Sequence, residues 1–168
     1  QAAAGVSFVD AVHDGRASRR VRAVGRERQF RDAVAEFARS ELNSDIVERD
    51  RAGAFSRSIW ERCAEFGLQG LPVPEEYGGS GGDHLAYCLV LEELGRGDSS
   101  VRGVVSVSLG LVAKSINAFG TEQQKREWLP RLCSGEALAC FALTEPGTGS
   151  DAANLTTRAV RDGDGWLI

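Results

Sequence analysis

Ser99–Phe119, with the sequence SSVRGVVSVSLGLVAKSINAF, consists almost entirely of small and apolar residues. Wound as a helix, it would present apolar groups on nearly every face, with Arg102 and Lys114 as exceptions. A helix that is apolar all round is typical of the centre of a bundle. The stretch therefore predicts a buried helix that ends at Gly120. Ser, Gly and Lys break its apolar runs well short of the ~20 residues that span a bilayer, which argues against a transmembrane helix.

An amphipathic helix is predicted on the N-terminal side, over residues 18–42. Phe30, Val34, Phe37 and Ala38 recur at helical spacing and share one face. The other face is rich in arginine interleaved with acidic residues, and this pattern favours a solvated helix face over a basic patch for an acidic partner.

Two capping-box patterns predict the starts of further helices. Ser58-x-x-Glu61 would open a short helix that Gly67 ends, and Thr121-x-x-Gln124 would open another that closes by residue 135. In a capping box the hydroxyl and the carboxyl or amide side chain satisfy each other's main-chain N–H groups, which fixes where a helix begins.

Between these helices lie a loop and one more helix. Residues 68–83 contain two prolines and five glycines, so we expect a long ordered loop. Residues 86–94 show helical periodicity, and Gly95 or Gly97 would end that helix.

The pattern changes from helical to extended after Gly135. Leu138–Thr144 and Leu155–Val160 are predicted strands, Asp162-Gly-Asp-Gly165 is a hairpin turn, and Trp166–Ile168 begins a return strand. Two or three strands with open edges rarely stand alone in water, so we expect the rest of this sheet to lie beyond the sequence. The predicted parts of the chain are a mobile leader, a helical domain and the start of a sheet domain, at residues 1–17, 18–135 and 136–168.

Composition and charge narrow the class of protein. The chain has 168 residues, a net charge of −4 and 42% hydrophobic residues, which is typical of a globular protein and disfavours nucleic acid or an anionic membrane as a partner. The cysteines have no spacing typical of metal ligands and lie in apolar sequence, so we expect reduced core cysteines, no metal site and a reducing, cytoplasmic compartment. They are Cys63, Cys88, Cys133 and Cys140.

The strongest candidate for a ligand-binding site is the segment Phe141–Asp151, FALTEPGTGSD. A predicted strand here leads into a turn whose glycines would let a bulky ligand approach the main chain, while free N–H groups and hydroxyls could donate to a pyrophosphate. From the residues alone, two interpretations stay open, an anion-binding loop and a polar turn between strands.

Other motifs are weaker candidates for a site. Gly147-x-Gly149-x-x-Ala152 matches a relaxed dinucleotide fingerprint but lacks the helix that the fingerprint requires. His13 and His84 lie far apart and are expected to be exposed and inert. Glu92-Glu93 would point ~100° apart on a helix, so pairing with Arg96 is favoured over acid–base catalysis.

Several motifs together resemble the FAD-dependent acyl-CoA dehydrogenase family, in family order, from about Phe30 to Ile168. The motifs that carry the resemblance are FSRxxW at 55–60, the segment 67–79 ending in VPEEYGG, residues 91–96, FGTEQQK at 119–125, LPRL at 129–132 and residues 141–151. The resemblance implies a mainly α chain, with an N-terminal helical bundle domain followed by the first strands of a β-barrel-like middle domain. A C-terminal four-helix bundle would complete the family's architecture.

The resemblance also implies a cofactor site, in which the segment from Phe141 and Ala142 to Gly149 and Ser150 contacts FAD. Main-chain groups near Leu143 and the hydroxyl of Thr144 would meet the flavin ring. Ser150 would lie beside the cofactor pyrophosphate and the thioester substrate. Thr148 departs from the more usual alanine.

The implied reaction is α,β-dehydrogenation of an acyl-CoA thioester, with electrons passing to an electron-transfer flavoprotein or another acceptor. The family's catalytic glutamate belongs to its C-terminal bundle, so no residue of this sequence is predicted to be catalytic. The family also implies a homo-oligomer, a dimer or a tetramer. A dehydrogenase or oxidase acting on an acyl-carrier-protein thioester, and a non-catalytic helical interaction module, are the alternatives.

Overall fold

The computed structural model of the protein describes residues 25–168, so the predicted leader and the start of the first helix lie outside the described residues. The described part contains six helices and one short hairpin. The helices are α1 (Gly25–Phe37), α2 (Ile46–Ala52), α3 (Arg57–Glu65), α4 (His84–Gly97), α5 (Ser99–Phe119) and α6 (Glu122–Cys133), and the strands are β1 (Val160–Asp162) and β2 (Gly165–Leu167). The mainly α fold is confirmed.

Helix α5 forms the middle of the helical bundle, as its composition predicts. One side of it packs against α4 and α6, and on that side Val105, Leu109 and Ala113 are fully buried. The central turns, Ser106–Ala113, are wound as a π-helix. Because a π-helix has wider turns than an α-helix, residues four apart stay on the same side and form a continuous buried seam.

The prediction that α5 is buried all round is only partly right. Leu111 is 46% exposed and Phe119 is 89% exposed, because the neighbouring helices cover one side of α5 and leave the other open. By length and mean hydropathy (1.2) α5 could cross a membrane, so its interruptions alone do not exclude a span. The central helix of a bundle meets the same criteria, and α5 packs against α4 and α6 along its buried seam.

The predicted helix ends at Gly67 and Gly120 are right, and of the other predicted boundaries only the start of α3 is wrong. The Thr121–Gln124 capping box is present at α6 and α4 ends at Gly97. The capping residue of α3 is Ser56, whose Oγ accepts from the N–H of Ile59 at 3.3 Å, and not Ser58. Only Ser58 has an acidic side chain three residues on, at Glu61, so the capping-box pattern indicated the wrong serine.

Residues 68–83 form a compact loop with two short 3₁₀ turns, Leu68–Gly70 and Glu75–Tyr77. Main-chain bonds cross the loop, including Ser80 N–H to Gly70 O at 2.9 Å. A Cβ at Gly79 would lie 1.9 Å from the carbonyl oxygen of Val73, so only glycine fits there. The expected ordered loop is confirmed.

The predicted strands are shorter than expected. Leu138–Thr144 has no regular secondary structure and belongs to no ladder within the described residues, and of Leu155–Val160 only Val160 lies in a strand. A strand needs a hydrogen-bonded neighbour, and the described part of the chain supplies none for these segments. The hairpin is confirmed, with Asp162 paired to Gly165 and a left-handed Gly163.

The cysteines divide into two pairs. Cys63 and Cys133 are buried, and burial raises the pKa of their thiols to about 12 and about 11. Cys88 and Cys140 are exposed, so the prediction that all four are core residues is wrong. Cys88 lies two positions before buried Val90 on α4, about 200° around the helix, and an apolar neighbourhood in sequence did not put it on the buried face.

Candidate functional site

The Phe141–Asp151 segment forms a tight turn on the protein surface. Glu145 and Thr148 exchange two main-chain hydrogen bonds, at 2.9 and 3.2 Å, and this closes the turn around Pro146-Gly147. The hydroxyl of Thr148 donates to the carbonyl oxygen of Asp151 at 2.8 Å. These hydrogen bonds give the glycine-rich turn a defined conformation.

The carboxylate of Glu145 ties this turn to the segment that follows it. It accepts from the N–H of Thr156 at 2.9 Å, from the Thr156 hydroxyl at 2.9 Å and from the N–H of Thr157 at 2.6 Å. Hydrogen bonds from Thr157 and Thr156 lower the pKa of Glu145 to about 2, since they stabilise its charged form. The role of Glu145 has no signal in the sequence, because nothing local indicates that an acidic residue in a turn will bond 11 residues away.

The structure brings together some of the predicted cofactor residues. Thr144 and Gly149 face each other across the turn, since a Cβ at Gly149 would lie 3.6 Å from the Thr144 methyl carbon. Thr144, Ser150, Phe141 and Ala142 are exposed, while Leu143 is half-buried together with Gly149. The predicted site residues therefore form a surface that a ligand can reach.

Unused donors on this surface suit an anionic or carbonyl-rich ligand. Among the described residues, the N–H groups of 141–144, Gly149 and Ser150 make no hydrogen bond to the protein, and neither does the hydroxyl of Thr144. Main-chain N–H groups and hydroxyls of this kind bind flavin carbonyls and pyrophosphate oxygens. The residues present thus fit FAD.

A second group of contacts holds the start of the segment. The indole N–H of Trp60 donates to the carbonyl oxygen of Gly135 at 2.9 Å, and the guanidinium of Arg57 donates to the carbonyls of Gly135 and Glu136 at 3.2 and 2.9 Å. Both residues belong to the FSRxxW motif at 55–60, which carries the family resemblance but has no role that its sequence predicts.

The other candidate groups are structural or exposed. Arg96 bonds Glu92 at 2.5 Å and Glu93 at 2.9 Å, which confirms the predicted pairing. His84 is exposed, with its Nε2 3.4 Å from Lys114 Nζ, and His13 lies outside the described residues. Within residues 25–168 no three His, Cys, Asp or Glu side chains group as metal ligands do.

Sequence comparison identifies the helical part. The profile of the family described as acyl-CoA dehydrogenase, N-terminal domain, matches residues 25–136. The chain belongs to the acyl-CoA dehydrogenase family. The match ends at the junction that Arg57 and Trp60 hold.

Individual acyl-CoA dehydrogenase relatives extend the match into the turn. The chain is 42% identical over 144 residues to the probable acyl-CoA dehydrogenase YngJ of Bacillus subtilis, covering 84% of this chain and 37% of that protein. Among solved structures, glutaryl-CoA dehydrogenase of Mycobacterium smegmatis in complex with FADH2 matches with a TM-score of 0.77 and 37% identity, over 83% of this chain and 36% of that one.

An oxidase named for an acyl carrier protein is as similar to this chain as the glutaryl-CoA dehydrogenase is. The prolyl acyl carrier protein oxidase AnaB matches with a TM-score of 0.77 and 38% identity, over 85% of this chain and 38% of that one. The chain thus spans little more than a third of the length of the relatives it matches. The part that matches the family's N-terminal domain is residues 25–136, and the Phe141–Asp151 turn follows it.

Proposed function

We propose that this chain is part of an FAD-dependent oxidoreductase that removes the α and β hydrogens of an acyl-CoA thioester. The observation that carries the proposal is the exposed turn with unused N–H groups and a free Thr144 hydroxyl, on a chain of the acyl-CoA dehydrogenase family. The names of the relatives support the reaction class, and the FADH2 complex of one of them supports the cofactor.

The residues of this chain would bind and orient FAD and the thioester substrate. The main chain at Leu143 and the hydroxyl of Thr144 would donate to the flavin ring, and Phe141 and Ala142 would form the apolar wall beside it. Gly149 allows close approach because it carries no side chain, and Ser150 would donate to the pyrophosphate and lie beside the thioester. Bound FAD would supply hydride acceptance, and no residue of this chain takes the α-proton.

A carrier-protein thioester is the second candidate substrate. This candidate is supported by the 38% identity to a prolyl acyl carrier protein oxidase, which is close to the 42% identity to YngJ. A purified full-length protein that oxidises acyl-carrier-protein thioesters but not acyl-CoA would select this substrate. Reduction of electron-transfer flavoprotein, compared with peroxide formation from oxygen, would identify the electron acceptor.

The proposal also covers the assembly of the protein, its metabolic role and its location in the cell. The family relationship supports a homodimer or homotetramer and a role in fatty acid metabolism. Reduced cysteines at all four positions are compatible with a cytoplasmic location. Gel filtration with light scattering of the full-length protein would measure the oligomeric state.

Flavin content of the full-length protein tests the proposed function. We expect a yellow protein whose flavin absorption is released on denaturation. Thr144→Val should weaken FAD binding about tenfold, because it removes one hydrogen bond, whereas Thr148→Val should have a smaller effect because that hydroxyl already bonds Asp151. A colourless protein that does not take up added FAD would contradict the proposal.

A further inference from the structure

The FSRxxW motif occupies the first turn of α3. Ser56 caps the helix, and Arg57 and Trp60, three residues apart, share a face. Trp60 is almost fully buried, whereas the side chain of Arg57 is half exposed. A buried indole with a bonded N–H suits a core position. The guanidinium of Arg57 pairs with Glu61 on the same helix at 3.4 Å, but neither this pair nor core packing explains its bonds to the main chain.

Both side chains bond the chain where it leaves α6. They donate three hydrogen bonds to the carbonyls of Gly135 and Glu136. Gly135 is left-handed, with φ +74°, and a Cβ there would lie 2.6 Å from the Cβ of Ala64. The junction is therefore pressed against α3 at a position where only glycine fits.

Two further contacts hold the junction from the α6 side. The guanidinium of Arg131 bonds the Glu136 carboxylate at 2.8 Å, and the N–H of Ala137 donates to the carbonyl of Arg131 at 2.9 Å. Beyond Ala137 the segment 138–144 makes no ladder among the described residues. Its path starts at the junction, only five residues before Phe141, at most ~17 Å of extended chain, and Ala139 packs against the helical core on the way.

We propose that Arg57 and Trp60 are positioning residues for the cofactor, a clasp that fixes the path of the chain from the helical domain into the flavin-contacting turn. The clasp acts through main-chain carbonyls and touches no ligand. The inference rests on the proposed function for what the turn binds, while the clasp itself is a feature of the helical domain.

The test measures FAD affinity and amide hydrogen exchange in the full-length protein. Arg57→Ala should raise the Kd for FAD about tenfold, because the loss of carbonyl hydrogen bonds corresponds to that order of change. The same variant should speed exchange at Ala137 about tenfold. Exchange in α4 and α5 should stay unchanged, since the clasp does not touch them.

Conservative and control variants separate positioning from general stability. Arg57→Lys should restore most of the affinity because an ammonium can still donate to one carbonyl, and Trp60→Phe should act like Arg57→Ala. The matched control is Arg62→Ala, on the same helix, whose side chain pairs with Glu41 instead. It should leave both measurements within about twofold.

Two results would overturn the clasp. One is an unchanged Kd and unchanged Ala137 exchange in Arg57→Ala, and the other is faster exchange spread evenly over α4 and α5. If the wild-type protein binds no FAD while Arg57→Ala still loosens Ala137, the proposed cofactor role fails even though the junction contacts are real. If the wild type binds FAD and Arg57→Ala changes nothing, only the clasp fails.

Discussion

Replacing Asp98 by alanine should destabilise the centre of the bundle. Asp98 precedes α5 and has 2% of its surface exposed. One carboxylate oxygen accepts from the N–H groups of Ser100 and Val101 at 2.7 and 3.1 Å, and the other bonds Arg49 at 2.6 Å. This carboxylate thus caps the central helix and pairs with a nearly buried guanidinium.

The loss of stability in Asp98→Ala follows from these two roles, the helix cap and the ion pair. Loss of an N-cap costs ~1 kcal/mol, and removal of one partner from a buried ion pair costs up to ~3 to 5 kcal/mol. Arg49 keeps Asp45 and the carbonyl of Leu42 as partners, which reduces the second cost. We therefore expect Asp98→Ala to lower the free energy of opening of α5 by about 2 to 4 kcal/mol.

Native-state hydrogen exchange of the full-length protein measures this opening locally. Protection of the Leu109 amide should fall about 30- to 1000-fold, as ~1.4 kcal/mol corresponds to a factor of ten. Asp98→Asn is the matched variant, since it keeps the cap and loses the charge, and it should lie between wild type and alanine. A loss below about threefold in Asp98→Ala would refute the reasoning.

The same carboxylate predicts a pH dependence. Burial raises the pKa of Asp98, but hydrogen bonds from Arg49 and from the main chain outweigh burial and hold the pKa below the ordinary value of 3.8. A lowered folded-state pKa means that the stabilisation is complete above the unfolded pKa and is lost as pH falls through the folded pKa. Acid titration should therefore leave α5 protected at pH 5 and weaken it only below about pH 4.

Three further predictions concern the turn and the core. Glu145→Gln should speed amide exchange at Thr156 and Thr157, because a neutral amide is a weaker acceptor than a carboxylate. In the wild-type protein, NMR should show the Glu145 carboxyl titrating near its pKa of about 2 rather than near 4.5. A pKa above 4 would contradict the hydrogen-bonded turn. Leu109→Ala should cost ~2 to 5 kcal/mol on denaturant unfolding, with exposed Leu111→Ala as the matched control, and equal losses would contradict the assignment of the buried seam. Gly79→Ala should give insoluble or strongly destabilised protein because its Cβ would overlap the Val73 carbonyl, and a wild-type melting temperature would show that the loop adjusts.

Local sequence was a reliable guide to where helices start and stop. Periodicity and capping depend on residues no more than about four apart, which is why the Thr121 cap, the end of α4 and the hairpin at Gly163 were all predictable. The cap at Ser56 was missed because Ser58, with Glu61 three residues on, matches the capping-box pattern and Ser56, followed by Ile59, does not. The domain boundary near residue 135 stays a prediction, although the last bundle helix ends at Cys133.

The candidate site was predictable in part. The turn from Phe141 to Ser150 stands out by its glycines and hydroxyls and by the family resemblance, and the structure shows it exposed with unused donors. The assignment of its individual residues to FAD stays a prediction. The role of Glu145 and the exposure of Cys140 could not be read from the sequence, because each depends on what lies beside the chain in space.

The sequence by itself determined the helical class, the central apolar helix, the glycine-dependent turns and the family. Only the tertiary structure decided which side of α5 is buried, which cysteines are accessible, and that Trp60 reaches a carbonyl 75 residues away. The physical reason is range: helix and turn preferences are settled by neighbours along the chain, whereas burial and long-range hydrogen bonds are settled by which surfaces meet when the helices pack.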